Sequence, residues 1–596
     1  MDRSQPKSSA GGDRLSKLED RVLGNILSYL PAKEAARAAL LSSRWRHAFA
    51  AVHTISIEEP EGPIPSGDNR GCDSPECRTP QDPNAPPPFS SAVSAAIIAR
   101  QRRRGAAPLR ALRVAKGGYV GGDSSTLDQW VSYAVQQAAP EGLHLALALR
   151  LPCDGSCQHP YVLRRGKMPE PDMMVERSTN IRSKSMGDDV GSESNYDPWQ
   201  QVGDPWLRGP NSTADAGSES DNDAGSEFDD DDGSVVSSDH DERVHRGEPW
   251  WMRPRPEYTV PRALFTCAEL RSLTLSSCRV APPAATAVSL PSLVTLLLSD
   301  VPDAGADVER LVAGCPRLAD LELEACGAVT SLTVQRCLRR LALRCCHQLA
   351  TVVVDSSELQ AFEYRGAVTD PASFLTLHSG AGRIAYCKLD ICGAEATSEA
   401  ELTNLRHFLR LFANAKHLHL ESARLGSGFD KDVPARLADF PNLRRLEMRG
   451  CPPPDDDTGH AIAAVSRVLE HAPNLEALSL AFHPDGEHYL GCRSEYIVFS
   501  EGELADAHHL DYNSHSVLAT PGAMIPCLGS TVREINLVHY QGGMAQRALA
   551  KFLLRNAPAV DKLWCEFAEG PMWAQVQLMR ELKVWLINKS ADTHFA

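Results

Sequence analysis

The chain has 596 residues, 42% of them hydrophobic and 23% charged, with a formal net charge of −16; that length calls for several domains rather than one core. No run of about 18 apolar residues is present, which excludes a membrane-crossing helix of the usual kind, and the acidity argues against a general nucleic-acid binder. The 17 cysteines are scattered, and the opening Met-Asp-Arg-Ser-Gln-Pro-Lys has no apolar leader core, so reduced thiols in a cytoplasmic or nuclear protein are expected.

Residues 13–57 open on a helical pattern. The run Leu15-Ser-Lys-Leu18-Glu-Asp-Arg-Val22-Leu23-Gly-Asn-Ile26-Leu27-Ser-Tyr-Leu30-Pro31 predicts a helix with acidic residues in its first turn, where they suit the macrodipole, and a stop at Pro31. Val22, Ile26 and Leu30 make one apolar stripe; Leu23 and Leu27 make a second beside it. An alanine-rich second helix ends at Leu40 and Leu41, and a third opens around Trp45, with Phe49 one turn on. About 40 residues is near the limit for independent folding. Such a unit cannot bury all of this surface: either a partner covers the excess or the unit packs on the repeats that follow.

Residues 58–90 are rich in Pro, Gly and Asp and read as a linker. Over 91–151 structure returns, as a first leucine-rich-repeat-like segment. A helix is expected at 128–139, closed by Pro140, and a strand at 144–151, where Leu145, Leu147, Leu149 and Leu151 alternate. Residues 152–257 hold few aliphatic side chains and read as a disordered acidic insert. Within it, 213–242 carries 12 Asp or Glu and no Lys or Arg. Ser218, Ser220 and Ser226 each have an acidic residue three positions on, which suits an acidophilic kinase.

From 258 a motif recurs: Leu270-Arg-Ser-Leu273-Thr-Leu275, Leu293-Val-Thr-Leu296-Leu-Leu298, Leu318-Ala-Asp-Leu321-Glu-Leu323, Leu338-Arg-Arg-Leu341-Ala-Leu343, and later Leu443-Arg-Arg-Leu446-Glu-Met448 and Leu475-Glu-Ala-Leu478-Ser-Leu480. The spacing of about 20–29 residues is that of leucine-rich repeats, and it predicts an α/β solenoid over 258–540. Five times a cysteine stands three residues after the last apolar strand residue, at Cys278, Cys326, Cys346, Cys392 and Cys451. This is the inward turn of the repeat, where a small, weakly hydrogen-bonding side chain fits. Helices over 544–556 and 572–587 are expected to form a helical cap over 541–596.

The residues that alternate with the buried leucines face outward. They are Asp320, Glu322 and Glu324; Arg340 and Arg344; His417, His419 and Glu421; Arg445, Glu447 and Arg449. These rows are either a recognition surface or simply the solvated side of the sheet. His417 and His419 lack an assignable third ligand and are expected to be surface histidines. Cys153, Cys157 and His159 stand alone in a loop, which is too little for a zinc site. The sequences G-x-x-x-x-G-K-[ST], G-x-S-x-G, H-E-x-x-H and G-x-G-x-x-G are missing, so no catalytic residue, metal or cofactor is expected.

Residues 13–50 resemble a plant-type F-box on Leu15-Ser16, Leu18, Asp20, Val22-Leu23, Ile26-Leu27-Ser28, Leu30-Pro31 and Leu41-Ser42-Ser43-Arg44-Trp45-Arg46, with Glu19 where the family usually has Pro. Residues 258–278 are similar to the family's Leu-Phe-x-Cys repeat opening, and 534–564 resemble its C-terminal region. The chain is thus similar to F-box/LRR proteins. The resemblance implies a three-helix F-box followed by an α/β leucine-rich-repeat solenoid, interrupted by the acidic insert. It also implies docking on the Skp adaptor of a cullin–RING ubiquitin ligase through Leu15, Leu18, Val22, Leu23, Ile26, Leu27, Leu30, Pro31, Leu40, Leu41 and Trp45. The repeats would hold a substrate protein, and the chain would do no chemistry itself. A repeat scaffold without a ligase, and a receptor for a small ligand, are the rival classes.

Overall fold

The computed structural model describes residues 17–30, 34–35, 38, 48, 51–59, 89–101, 107–117, 119, 123–150, 257–282, 288–335, 337–378, 383–393, 395–451, 458–482 and 525–596. In chain order the strands are β1 (Thr54–Glu58), β2 (Ala111–Gly117), β3 (Leu143–Arg150), β4 (Tyr258–Thr259), β5 (Leu270–Ser276), β6 (Cys278–Arg279), β7 (Thr295–Ser299), β8 (Asp320–Glu324), β9 (Ser331–Gln335), β10 (Arg340–Arg344), β11 (Thr351–Asp355), β12 (Ala361–Gly366), β13 (Leu375–Leu377), β14 (Tyr386–Ile391), β15 (His417–Arg424), β16 (Arg445–Cys451), β17 (Ala477–Phe482), β18 (Glu534–Tyr540), β19 (Lys562–Phe567) and β20 (Asp592–Phe595). Fifteen of them make one parallel sheet in sequence order, from β1 to β20, leaving out β4, β6, β9, β11 and β13.

The leucine pattern explains that order. Residues alternate across a strand, so the two leucines of each motif point to one side. Parallel register then stacks Leu273 on Leu296, Leu321 and Leu341, and further along Leu418 on Leu446 and Leu478. All of these are buried in a single core. Each fully buried leucine contributes about 2 kcal/mol, and none is covered unless the next rung is present. Helices such as Glu399–Arg410, Thr458–Glu470 and Met544–Asn556 return the chain between rungs. Between β8 and β14 short strands do this instead: β13, β11 and β9 form a second parallel layer on the same core.

The recurring cysteine marks where the chain leaves the strand. Ser277, Ala325 and Cys345 take φ of 54°, 53° and 54°, a left-handed conformation that turns the following residue inward. Those residues are Cys278, Cys326 and Cys346. Their thiols donate to strand carbonyls: Cys278 Sγ to Ser276 at 3.2 Å, Cys326 Sγ to Glu324 at 3.4 Å, and Cys346 Sγ to Arg344 at 3.5 Å. Burial pushes the Cys278 thiol up to about 12, so it stays protonated and unreactive. Asp300 and His539 make the same turn, with Val301 and Tyr540 going inward instead.

Three expectations change. Thr54–Glu58, expected within the F-box span of 13–57, is the first rung of the sheet, paired along its whole length with β2. Of the helix foreseen from Leu15 to Leu30, Leu15 and Ser16 lie outside the described residues and the regular part is Asp20–Leu27; it ends where Ser28 Oγ folds back onto the Gly24 carbonyl at 2.8 Å and a tighter turn follows. The cap expected over 541–596 does contain helices Met544–Asn556 and Met572–Trp585, but β19 and β20 lie between and after them. The sheet therefore continues to Phe595. The helix expected at 128–139 runs Ser124–Gln136, and the strand expected at 144–151 is Leu143–Arg150. Most of the linker (60–88) and nearly all of the insert (151–256) lie outside the described residues, together with Cys153, Cys157, His159 and the three serines.

Candidate docking surfaces

Helix Asp20–Leu27 separates its two apolar stripes. Leu23 and Leu27 are fully enclosed in a small core with Ala35, Ala48 and Val52, against which Leu18 is partly packed. Gly24 lets the helix approach the chain at Ala51: a Cβ there would lie 2.5 Å from the Ala51 carbonyl oxygen. His53 fastens the helix from outside, its backbone N–H donating to Ser28 Oγ at 3.1 Å and its ring bonding Asn25 at 2.9 Å. Burial, then Arg110 and Arg100, hold the His53 imidazole below its usual range. Arg100, itself buried, donates to the Val52 carbonyl at 3.1 Å and to the Tyr133 hydroxyl at 2.7 Å.

The other stripe stays in solvent: Val22 is 40% exposed, Ile26 39% and Leu30 38%, with Tyr29 also exposed. Of the residues implied for adaptor docking, Leu23 and Leu27 are thus internal, because the unit uses them for its own core. Leu15, Pro31, Leu40, Leu41 and Trp45 lie outside the described residues.

The outward rows of the sheet are joined to one another by ion pairs. Glu322 receives Arg340 at 3.0 Å and Arg344 at 2.6 Å, and Glu363 receives the same two arginines at 2.9 Å and 2.6 Å. The register sets Glu322, Ala342 and Glu363 side by side on β8, β10 and β12. Ala342 is too short to fill its place, so the two arginines lie across it, and this outward-facing alanine has no exposure at all. Beyond this ring Arg365 meets Asp390 at 3.3 Å, and Lys388 meets Glu421 at 3.3 Å. His419 lies between Glu421 and Glu447, at 3.3 Å from each, and Arg449 reaches Glu447 at 3.4 Å.

Glu322 and His419 are each only 8% exposed, so the reading of His419 as a surface histidine is corrected. The ion pairs draw it in. Burial alone would lower its pKa, but Glu421 and Glu447, each facing one ring nitrogen, outweigh burial and raise it. His419 in turn holds Glu447 below the usual carboxylate range. Burial would raise Glu363, but Arg340 and Arg344 lower it. Asp320 and Glu324 are half-buried at the rim, while His417 and Arg445 are exposed at the starts of their strands.

Four members of this ladder were outside the expected rows: Glu363, Arg365, Lys388 and Asp390. The reason lies in their strands, since β12 points Phe362 and Tyr364 inward and β14 points Cys387, so neither shows the two-leucine signature. Counting one repeat length on from Leu341 reaches Phe362 and would have found them. Among the described residues no three His, Cys, Asp or Glu gather as metal ligands would, and no helix is long and apolar enough to cross a membrane.

Residues 15–53 match a family model described as the F-box domain, and 241–376 match one described as FBD-associated F-box protein At5g56370, LRR repeats. The chain is similar to the putative FBD-associated F-box protein At5g53635 of Arabidopsis thaliana, at 25% identity over 321 residues, which is 51% of this chain and 67% of the relative. It is also similar to the FBD-associated F-box protein At5g56380 of the same plant, at 23% identity over 337 residues, covering 54% and 68%. The putative F-box protein At3g58950 of that plant shares 51% identity over only 47 residues, 8% of this chain and 11% of the relative.

Proposed function

Since the chain carries an F-box and FBD-associated leucine-rich repeats, we propose that it is the substrate-recognition subunit of an Skp–cullin–F-box ubiquitin ligase. It docks on the Skp-type adaptor through the F-box and holds a target protein on the repeats. The observation that carries this is the exposed row Val22, Ile26 and Leu30, on a helix whose opposite side is already closed by its own core. Covering the rest of such a row contributes several kcal/mol, at roughly 25 cal/mol per Å². The helix is tied through His53 and Val52 to the first rung of the sheet, so whatever the sheet binds is held in a set relation to the adaptor.

The function needs no acid, base or nucleophile from this chain. Its contribution is proximity: a lysine of the target is kept near a ubiquitin-charged conjugating enzyme, and a bimolecular encounter becomes an intramolecular one. The test is calorimetric titration of the purified chain with an Skp-type adaptor. Wild type binds, and Val22→Ser with Ile26→Ser weakens binding at least about tenfold, by loss of buried apolar contact. Equal binding by the double variant would sink the reading.

A further inference from the structure

The proposal above leaves open what kind of segment the repeats hold, and the two edges of the sheet differ in a way that bears on it. Over the five adjacent strands β10, β12, β14, β15 and β16, the residues at each strand start are Arg339-Arg340, Gln360-Ala361, Ala385-Tyr386, Lys416-His417 and Arg444-Arg445. These ten positions contain five cations and no carboxylate. At five strands and about 4.8 Å per gap, the edge is about 19 Å long, the length of about six residues of extended peptide. The next strand starts on either side, Asp320 on β8 and Glu476 before β17, are acidic and bound the strip.

From the third residue of each strand onward the charges are mixed and joined to one another: Arg344 to Glu363 and to Glu322 on the neighbouring β8, Arg365 to Asp390, Glu421 to Lys388 and His419, Arg449 to Glu447. Breaking such half-buried pairs to admit a ligand is unfavourable. Along the strand-start edge, Arg340 is held in the half-buried ring by Glu322 and Glu363 and is not available to a ligand, while Arg339 is paired with Glu358 and Arg444 with Glu476, both at the surface, where pairs are weak and exchangeable. Lys416 and Arg445 are exposed and make no ion pair among the described residues. They flank His417, which shares a register row with Tyr386 and Arg445. Burial, then Arg445 and Lys416, lower the pKa of its imidazole.

We infer that the repeats take an acidic peptide segment of the target along this strand-start edge, with Lys416 and Arg445 as its principal contacts. The inference rests on the repeats being the substrate-holding part.

The probe is a fluorescein-labelled peptide of about ten alternating glutamates and serines, with an arginine-serine peptide as its opposite, titrated against the full chain by anisotropy. The glutamate peptide binds and the arginine peptide does not, and raising salt from about 50 to about 300 mM weakens binding several-fold, because the contacts are exposed. Lys416→Glu with Arg445→Glu weakens it at least about tenfold. Lys416→Arg with Arg445→Lys retains it, and so does Lys562→Glu, an exposed cation on β19. All the substituted side chains are at the surface, so unchanged melting of each variant confirms the fold. Failure of the glutamate peptide to bind, or equal binding by the double reversal, overturns the inference. Adaptor titration of the same preparations separates the two readings. Adaptor binding without peptide binding removes this inference alone, and peptide binding without adaptor binding supports it while removing the ligase role.

Discussion

In the sheet, each inward leucine has a rung on either side, and Leu296, Leu321 and Leu341 are completely buried. In helix Asp20–Leu27 the same kinds of residue divide: Leu23 and Leu27 reach full burial, while Val22 and Ile26 remain substantially exposed. The two regions obey one rule, that apolar surface must be covered, under different supplies of cover. A solenoid makes its own by repetition; a unit of about 40 residues, near the limit for independent folding, runs out. The surplus is what makes the helix a candidate docking surface, whereas the outward face of the sheet has to be read through its charges.

Substitutions break this contrast in a graded way. Leu343→Ala removes a buried side chain from the middle of the array and should cost about 2–5 kcal/mol, seen as a large drop in the urea midpoint. Glu363→Gln weakens the ring around Ala342 without changing shape. With its two arginines about a third exposed, the expected cost is about 1–2 kcal/mol, less than for a dry pair, again by urea titration.

The pH dependence of His419 comes next. Its folded pKa is raised above the ordinary imidazole value of about 6.5, so its stabilisation is fully present below about 6.5 and is lost as pH rises through the folded value. Wild type should therefore lose stability relative to His419→Gln on going from about pH 6 to pH 8; parallel urea midpoints across that range would remove the role. Glu447 acts in the opposite sense: its folded pKa is lowered, and its contribution fades only as pH falls below about 4.5. The smallest effect on stability is expected from Ile26→Ser, at no more than about 0.5 kcal/mol, because that side chain is already partly in water. A loss comparable to Leu343→Ala would mean that the helix row is covered in solution by the chain itself.

These cases also show what could be read from residue order. The rungs at Leu273, Leu296, Leu321 and Leu341 follow from leucine spacing alone, because only a strand in a stacked array needs that pattern. The rung at Phe362 does not announce itself, since inward volume there is supplied by other residue types, and the rung at Cys387 shows only through Leu389 and the Cys392 that follows it. The outward rows were legible as positions but not as partners. Arg340 and Arg344 converge on Glu322 and Glu363 only because Ala342 leaves room between them, and that depends on neighbours about one repeat away in sequence. The division of the first helix into an enclosed and an open stripe was legible as two stripes. Which of them turns inward depends on Gly24 seating against Ala51 and on the reach of Val52, both set by the fold.

The register across the seam between β3 and β5 has a consequence of its own. Leu145 stands directly on Leu273 and Leu147 on Leu275, although residues 151–269 separate the two strands in the chain. Closing a loop becomes only slowly more unfavourable with length, about 0.6 kcal/mol for each doubling. Sequence can therefore be gained or lost at this seam over evolutionary time without re-indexing any rung. For the same reason it is the natural place to splice in a reporter domain while leaving both helix Asp20–Leu27 and the strand-start edge untouched.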